Sequence, residues 1–253
     1  MIDAHIHLQH AAFAADLSVL LKRAHDAGVR RFFCAATSAA DWEKVLEIAR
    51  RHPESVPFLG THPEYADTYD AEAFLRILTL HPDAKTGEIG LDNRYRSAKE
   101  ESAFISQLEI AAALKRPCVI HCVKSFHRLC PILKNRPLPP ALLFHSFSAS
   151  INEVGFLAAH GGYFSFSGSA TRPYRTKARD LIKAVPLNRI VVETDAPDML
   201  PCDECRTVLT EKRNLPENLP LILRRIAAIK EIDEIDFCKI TTQNALRFEK
   251  GEP

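Results

Sequence analysis

IDAHIHLQHAAFAADLSVLLKRAHDAGVRRFFCAAT, residues 2–37, places two short β-like runs on either side of a helix-like segment. The β-like runs are residues 2–8 and 31–37. Segment 16–28 between them has apolar residues at i, i+3 and i+4 spacing, which is typical of an amphipathic helix, and its terminal Gly28 suits a helix end. A strand, a helix and a second strand in this order predict a parallel β-α-β unit.

The same alternation continues along the rest of the chain. Six further β-like runs, separated by helix-like segments, lie at residues 56–62, 83–90, 117–122, 141–146, 162–168 and 189–195. Eight such units predict an α/β fold of the (β/α)8 TIM barrel type, which reaches the length of 253 residues as one domain, here residues 1–253. An open doubly wound sheet is the rival fold, but the GxGxxG motif usual after its first strand is absent.

Composition and charge restrict the classes of partner. The chain is 46% hydrophobic and 26% charged, as in a soluble globular protein with a sizeable core. Its net charge of +1 creates no overall field toward nucleic acid, membranes or acidic partners, so any preference for phosphates must be local. Seven cysteines, mostly in apolar runs, indicate reduced thiols, and Cys202 and Cys205 form a lone CxxC that is a weak zinc signal. Neither a signal peptide nor a long apolar run is evident, so we expect a cytoplasmic protein without membrane association.

Residues that can bind a metal or transfer protons stand at the ends of these runs. Catalytic groups of such barrels lie at the carboxyl ends of the strands. Strand periodicity places His5 and His7 on one face, with Asp3 below them. Each residue taken alone could be a hydrogen-bonded structural group, but a metal would account for the buried set together. The candidate site residues are His5, His7, His62, Glu88, His121, His145 and Asp195.

Several short motifs carry a resemblance to a known family. In chain order they are DAHIHL, GTHPEYA, GEIGLD, VIHC, LFHSFSAS, FSFSG, VVETDAPDMLP and RNLPENLP. Together they resemble the TatD family of metal-dependent hydrolases, within the amidohydrolase-like barrels, over nearly the whole chain. The resemblance implies that His5, His7 and Asp195 bind one metal, that His121 and His145 bind a second, and that Glu88 bridges the two.

The implied cofactors are two divalent ions of unassigned identity. Histidine and carboxylate donors suit Zn, Mn, Co or Ni and tolerate Mg. Other barrels of the superfamily use a carboxylated lysine on the fourth strand as the bridge, which raises Lys85 as an alternative. Lys85 lies three residues before Glu88 and is expected to face away from it, so Glu88 is the better bridge.

The chain also departs from the family pattern at a few positions. Val123 and Lys124 follow His121-Cys122 where Arg-Asp is common in the family. Leu215 stands where the family usually has glutamate, and Asn93 stands where an aromatic residue is common. None of these positions is a predicted ligand, so the departures concern the identity of the substrate and leave the hydrolytic chemistry unchanged.

The expected activity is that of a phosphodiesterase, most simply an exonuclease-type deoxyribonuclease. In a site with two metals about 3.5 to 4 Å apart, an activated water attacks the phosphorus atom. Asp195 is the expected proton acceptor. His62 is expected to contact the phosphate or to protonate the leaving oxygen, although a structural role beside Pro63 stays open.

Basic residues after the seventh run suit a nucleic-acid substrate. The segment TRPYRTKAR, residues 171–179, combines four cations with one aromatic side chain, which suits a phosphate backbone and a stacked base. A solvated helix face is the other interpretation. The predicted phosphate contacts are His62, Arg172, Arg175, Lys177 and, from the later TEKR segment, Arg213.

The near-neutral charge favours single-stranded DNA ends or a small phosphoester as the partner, with no obligate protein partner evident. Two other functions stay open. One is hydrolysis of a small carbonyl substrate such as a lactone or cyclic amide, and the other is metal binding without catalysis. A lost ligand would be the sequence signature of the second, and every expected ligand is present.

Overall fold

A computed structural model describes residues 1–95 and 97–252 of the chain. Arg96, and Pro253 at the end of the predicted 1–253 domain, lie outside the described residues. Eight parallel strands are hydrogen-bonded to one another in the order of the sequence. They are β1 (Ile2–Ile6), β2 (Arg31–Ala35), β3 (Ser55–Leu59), β4 (Lys85–Asp92), β5 (Cys118–Val123), β6 (Leu142–Phe144), β7 (Gly162–Phe166) and β8 (Ile190–Val192).

Helices follow the strands and cover the outside of the sheet. A long segment with short 3₁₀ turns separates β8 from the next helix. No helix in the described ranges combines the length and apolar character needed to cross a membrane. The helices are α1 (Leu17–Asp26), α2 (Trp42–Arg51), α3 (Ala71–Leu80), α4 (Glu100–Ala113), α5 (Phe126–Asn135), α6 (Ile151–Ala159), α7 (Thr176–Ala184), α8 (Leu219–Lys230) and α9 (Glu234–Glu249).

Hydrogen bonds between the first and last strand regions bring the sheet to a nearly closed barrel. The Asp195 amide donates to the His5 carbonyl at 3.0 Å, and the His7 amide donates to the Ala196 carbonyl at 3.0 Å. The Asp3 carboxylate adds a buried contact, since it accepts from the Thr194 amide at 2.8 Å. The (β/α)8 prediction is therefore confirmed, and the open doubly wound sheet is excluded.

Aromatic side chains fill the barrel interior near the amino-terminal ends of the strands. Phe33 and Phe58 are fully buried there, with ring centroids 5.2 Å apart. Phe248 of α9 stacks on Phe58 at 5.9 Å and also meets Tyr163. A helix from the end of the chain thus closes the amino-terminal end of the barrel, which leaves the opposite end for the polar residues.

An irregularity in β1 directs the two histidines inward. Ile2 and Ala4 belong to the barrel-interior cluster, whereas Ile6 packs in the layer between the sheet and the helices. The β1–β2 register shifts between Asp3 and Ile6, so the inward face changes by one residue there. His5 and His7 consequently lie on the same side, with ring centroids 4.8 Å apart.

Candidate metal centre

Glu88 lies at the centre of the polar cluster. Its Oε1 atom is 2.7 Å from both His121 Nδ1 and His145 Nε2. Its Oε2 atom faces the other way, 3.2 Å from His5 Nε2 and 3.5 Å from His7 Nε2. The two oxygens of one carboxylate are therefore divided between two pairs of histidines, which is the arrangement a bridging ligand requires.

Two glycines let this part of β4 lie against its neighbours. A Cβ atom added to Gly60 of the loop after β3 would come within 2.7 Å of the Glu88 carbonyl oxygen. A Cβ atom added to Gly90 would overlap the His121 carbonyl oxygen. Gly60 and Gly90 thus let the backbone on either side of β4 approach Glu88 and His121 more closely than larger residues would allow.

Hydrogen bonds on the outer side of two rings leave the inner nitrogen of each free to bind a cation. His7 Nδ1 lies 2.8 Å from the Ala35 carbonyl oxygen, to which it donates, so its Nε2 lone pair faces Glu88 and Asp195. His121 Nε2 lies 2.9 Å from Asp92 Oδ2, and its Nδ1 lone pair faces Glu88. In metal-binding histidines, one ring nitrogen typically donates a hydrogen bond to a carbonyl or carboxylate oxygen. This hydrogen bond fixes the tautomer and leaves the other nitrogen to bind the metal.

The remaining two rings have buried nitrogens without a hydrogen-bond partner among the described residues. They are both ring nitrogens of His5 and Nδ1 of His145. Such atoms are costly to bury unpaired. His5 Nε2 lies 3.6 Å from Asp195 Oδ1, and His121 Nδ1 lies 3.0 Å from His145 Nε2. Ligand atoms around a cation with bonds of about 2.0 to 2.2 Å lie about 3 Å apart, so the donor set fits divalent metal binding.

The charges of the cluster favour a bound cation. Burial opposes ionisation of Glu88, yet the surrounding histidines hold the pKa of its carboxyl well below the usual value. Burial disfavours the charged form of His7, but Asp195 and Glu88 outweigh it and raise the pKa of this ring to about 9, so a metal that binds here displaces the proton from Nε2. At His5, burial and repulsion from His145 outweigh the attraction of Glu88 and lower the pKa of the ring to about 4. Ionised carboxylates in a buried pocket thus supply negative charge for a metal to neutralise.

His62 differs from the other histidines in the direction of its free nitrogen. Its Nδ1 atom accepts a hydrogen bond from the Glu64 amide at 3.1 Å, so a neutral ring carries its proton on Nε2. Nε2 lies 3.7 Å from Glu88 Oε1. Burial lowers the pKa of His62 to about 3, which keeps the ring neutral. The ring thus presents an N–H group to the cluster at this position and no lone pair. This fits a hydrogen-bond donor to a phosphate oxygen better than a metal ligand or a group that gives up its proton.

Two carboxylates that support the cluster were missed by the sequence reasoning. Asp92 orients His121, and the Arg94 guanidinium holds Asp92 through contacts to both of its oxygens. Glu193 lies 4.0 Å from His145 Nδ1 and accepts from the Ser146 amide at 2.7 Å. Asp92 is the last residue of GEIGLD, and Glu193 lies two residues before Asp195 in VVETDAPDMLP. An acidic residue close in sequence to a predicted ligand was the signal that could have identified each of them.

Lys85 lies far from this cluster. It is the first residue of β4, at the amino-terminal end of the barrel. There it lines a separate cavity together with Arg31 and Glu249. The expectation that Lys85 faces away from Glu88 agrees with this placement.

The cluster opens into a cleft of about 820 Å³. Arg94, Arg175 and Asp198 line its walls beside the histidines. Arg175 is exposed, whereas the Arg94 charge is engaged by Asp92. A cation is therefore available where a phosphate backbone would enter the cleft.

The other predicted phosphate contacts have different environments. Arg172 donates to the Leu200 carbonyl at 2.7 Å, and Lys177 lines an adjoining cavity. The Arg213 guanidinium pairs with Asp16 and Glu211, and the described wall of the cleft does not include it. A role for these residues in binding substrate stays a prediction.

Three of the residues that depart from the family pattern contact one another, and the fourth, Leu215, lies elsewhere. The Asn93 side chain donates to the Lys124 carbonyl at 2.7 Å, and its backbone amide donates to the Val123 carbonyl at 3.1 Å. These bonds join the loop after β4 to the loop after β5. Leu215 is buried in the hydrophobic core. The unusual residues therefore stabilise the loops around the cluster and replace no ligand.

The comparisons with known proteins agree with this geometry. A family model described as TatD related DNase matches residues 2–250. The chain is 34% identical over 256 residues to the 3'-5' ssDNA/RNA exonuclease TatD of Erwinia tasmaniensis, with 98% of each chain covered. It is 26% identical to the solved structure of YjjV, a TatD homologue from Escherichia coli K12, with a TM-score of 0.89 and coverage of 98% of this chain and 96% of that chain. A Listeria monocytogenes lactonase gives a TM-score of 0.67 over 98% and 93% of the two chains, but at 12% identity this likeness concerns the fold alone.

Proposed function

This chain belongs to the TatD-related DNase family, and we propose that it is a divalent-metal-dependent exonuclease that hydrolyses phosphodiester bonds of single-stranded nucleic acid from the 3′ end. The observation that carries the proposal is the Glu88 carboxylate, whose two oxygens face two separate pairs of histidines. The direction of degradation is taken from the name of the Erwinia tasmaniensis relative.

We assign two metal sites to the cluster. His5, His7 and Asp195 form the first, since their ligand atoms lie within 4.8 Å of one another. His121 and His145 form the second, and Glu88 belongs to both. Two divalent ions when bound would lower the pKa of a water molecule and neutralise charge on the phosphate oxygens. Zn, Mn, Mg, Co and Ni all suit these donors.

The residues around the ligands then have separate tasks. Asp195 is buried beside His5 and His7 and takes the proton from the attacking water. His62 directs its Nε2–H into the cluster and donates a hydrogen bond to a phosphate oxygen or to the leaving oxygen, while the ring keeps its proton. The leaving oxygen takes its proton from solvent water. Arg175, an exposed cation on the cleft wall, contacts the backbone phosphate.

A single-stranded substrate fits the charge distribution better than a duplex. The net charge of +1 leaves no basic track along the surface, so binding depends on the few cations near the cleft. We propose a single-stranded DNA or RNA end as the partner. A cytoplasmic location is proposed on the seven free cysteines.

Hydrolysis of a small carbonyl substrate is the weaker candidate. Its support from solved structures is the lactonase likeness, which is restricted to the barrel fold. The family match covers residues 2–250 and favours phosphodiester chemistry.

The test is degradation of 3′- and 5′-labelled single-stranded DNA by the wild type and by Glu88→Ala, with the bound metal measured in both. We expect the wild type to shorten the strand from its 3′ end, and Glu88→Ala to lose metal and at least a hundredfold in rate. Glu72→Ala, on the exposed face of α3, is the control for purification and folding. Nuclease activity retained by Glu88→Ala would exclude the bridged cluster as the catalyst, and lactone hydrolysis without nuclease activity would favour the carbonyl substrate.

A further inference from the structure

A second cavity adjoins the metal-binding cleft. It has a volume of about 360 Å³, within the range of roughly 300 to 1,000 Å³ that is typical of small-molecule sites. Phe147, Phe166 and Leu181 form an apolar part of its lining. Tyr174, whose side chain is 69% exposed, stands at its rim. A flat apolar group with a polar edge suits such a pocket.

This side cavity begins next to a proposed ligand. Ser146 follows His145 directly, and Ser146, Ser148, Ser169 and Arg175 line both the side cavity and the cleft. The two spaces therefore adjoin along these residues, and a molecule bound at the cluster can extend from the cleft into the side cavity.

The chemistry of the rim selects the occupant. Arg175 and Lys177 are exposed cations beside the opening, and Tyr174 offers an aromatic face. Serine hydroxyls supply hydrogen bonds at the edge. Cations for a phosphate, an aromatic face for stacking and hydroxyls for ring nitrogens and carbonyls are together the complement of a nucleotide.

We propose, on the basis of the proposed function, that the side cavity binds the nucleobase of the 3′-terminal nucleotide, with Tyr174 stacked on the base. Ala178 and Leu181 of α7 form one wall of the cavity, which lies to the side of the larger cleft. The larger cleft accommodates the rest of the strand. A terminal base held in this side cavity, with the strand running through the cleft, would place the last phosphodiester bond at the cluster and favour cleavage of terminal nucleotides.

Binding is tested with oligonucleotides that carry the fluorescent base 2-aminopurine at the 3′ terminus or ten positions from it. Phosphorothioate linkages near the end keep the probe intact. We expect the wild type to quench the terminal base and leave the internal base unaffected. Tyr174→Ala and Ala178→Phe, the second of which fills the cavity, are expected to weaken binding of the terminal probe on the order of tenfold. Tyr174 is exposed, so its variant does not depend on repacking.

Two controls separate this proposal from the proposed function. Asp180→Ala, on the exposed face of α7, is expected to bind both probes like the wild type. An oligonucleotide with an abasic nucleotide at its 3′ terminus offers no base to the cavity, so the wild type and Tyr174→Ala are expected to bind it with the same reduced affinity. Equal quenching of the two probes, or wild-type binding by both cavity variants, would overturn the base pocket. Absence of hydrolysis of any phosphodiester by the wild type would instead overturn the proposed function.

Discussion

Replacing Asp92 with asparagine removes one carboxylate that the metal-binding cluster depends on. Asp92 Oδ2 lies 2.9 Å from His121 Nε2, and this contact keeps the ring proton on Nε2 and the Nδ1 lone pair toward Glu88. An asparagine side chain is uncharged, and its amide group can donate to Nε2 and thereby favour the opposite tautomer. His121 would then present a proton to the second metal site.

The size of the effect follows from the role of such partners. Loss of the carboxylate behind a metal-binding histidine reduces metal affinity about 10- to 100-fold, which corresponds to about 1.4 to 2.7 kcal/mol. We expect the loss in one of the two sites, because His121 lies against Glu88 Oε1 and His5 and His7 lie against Oε2. The first site is expected to keep its affinity.

The assay is titration of the metal-free protein with Zn²⁺ in competition with a chromophoric chelator, which resolves the two dissociation constants. Asp67→Asn is the matched control, since Asp67 also accepts a side-chain hydrogen bond, from Ser97, but on the exposed surface. Two unchanged dissociation constants in Asp92→Asn would refute the role of Asp92 in orienting His121. Equal weakening of both would refute the division of the cluster into two sites.

Four further predictions concern stability, packing and substrate binding. Removing metal with a chelator should lower the melting temperature by about 10 to 20 °C, because metal present at a hundred times its dissociation constant adds about 2.7 kcal/mol at each of the two sites; an unchanged melting curve would contradict a structural contribution of the metal. Gly90→Ala should reduce both metal content and nuclease rate at least tenfold, because the added Cβ overlaps the His121 carbonyl; full activity would show that the close approach is dispensable. Phe248→Ala should destabilise the fold by about 3 to 5 kcal/mol in urea unfolding, because its buried ring stacks on Phe58, and a loss below about 1 kcal/mol would contradict its role in the barrel interior. Arg175→Ala should weaken binding of single-stranded DNA and reduce the salt dependence of binding by about one ion. Arg213→Ala should change the salt dependence little, because Asp16 pairs with that guanidinium. A larger effect of Arg213→Ala than of Arg175→Ala would contradict the proposal that Arg175 contacts the phosphate.

The barrel and the positions of the candidate ligands could be predicted from the sequence because both depend on local patterns. Short apolar runs alternating with helical periodicity specify parallel units, and carboxyl strand ends of a barrel meet at one rim. His5, His7 and Asp195 could thus be placed together from opposite ends of the chain. The seven candidate ligands and proton-transfer groups all lie in one buried cluster.

Other features depend on three-dimensional register and could not be read from one sequence. Simple alternation along a strand predicts Asp3 directly below His5 and His7. The register shift in β1 turns His5 inward and breaks that alternation, and the Asp3 carboxylate instead accepts a hydrogen bond from the Thr194 amide. The contact between Asp92 and His121 joins β4 and β5. The alignment of these two strands depends on a second register shift, which lies near Glu88. Arg213 appeared available in the sequence, but folding brings it against Asp16.

The central claim is that Glu88 bridges two metal ions, and anomalous X-ray diffraction from crystals grown with Zn²⁺ or Mn²⁺ tests it most directly. Two anomalous peaks are expected about 3.5 to 4 Å apart, one on each side of the Glu88 carboxylate, with His5 and His7 at the first and His121 and His145 at the second. A single peak, or two peaks that Glu88 does not join, would contradict the account.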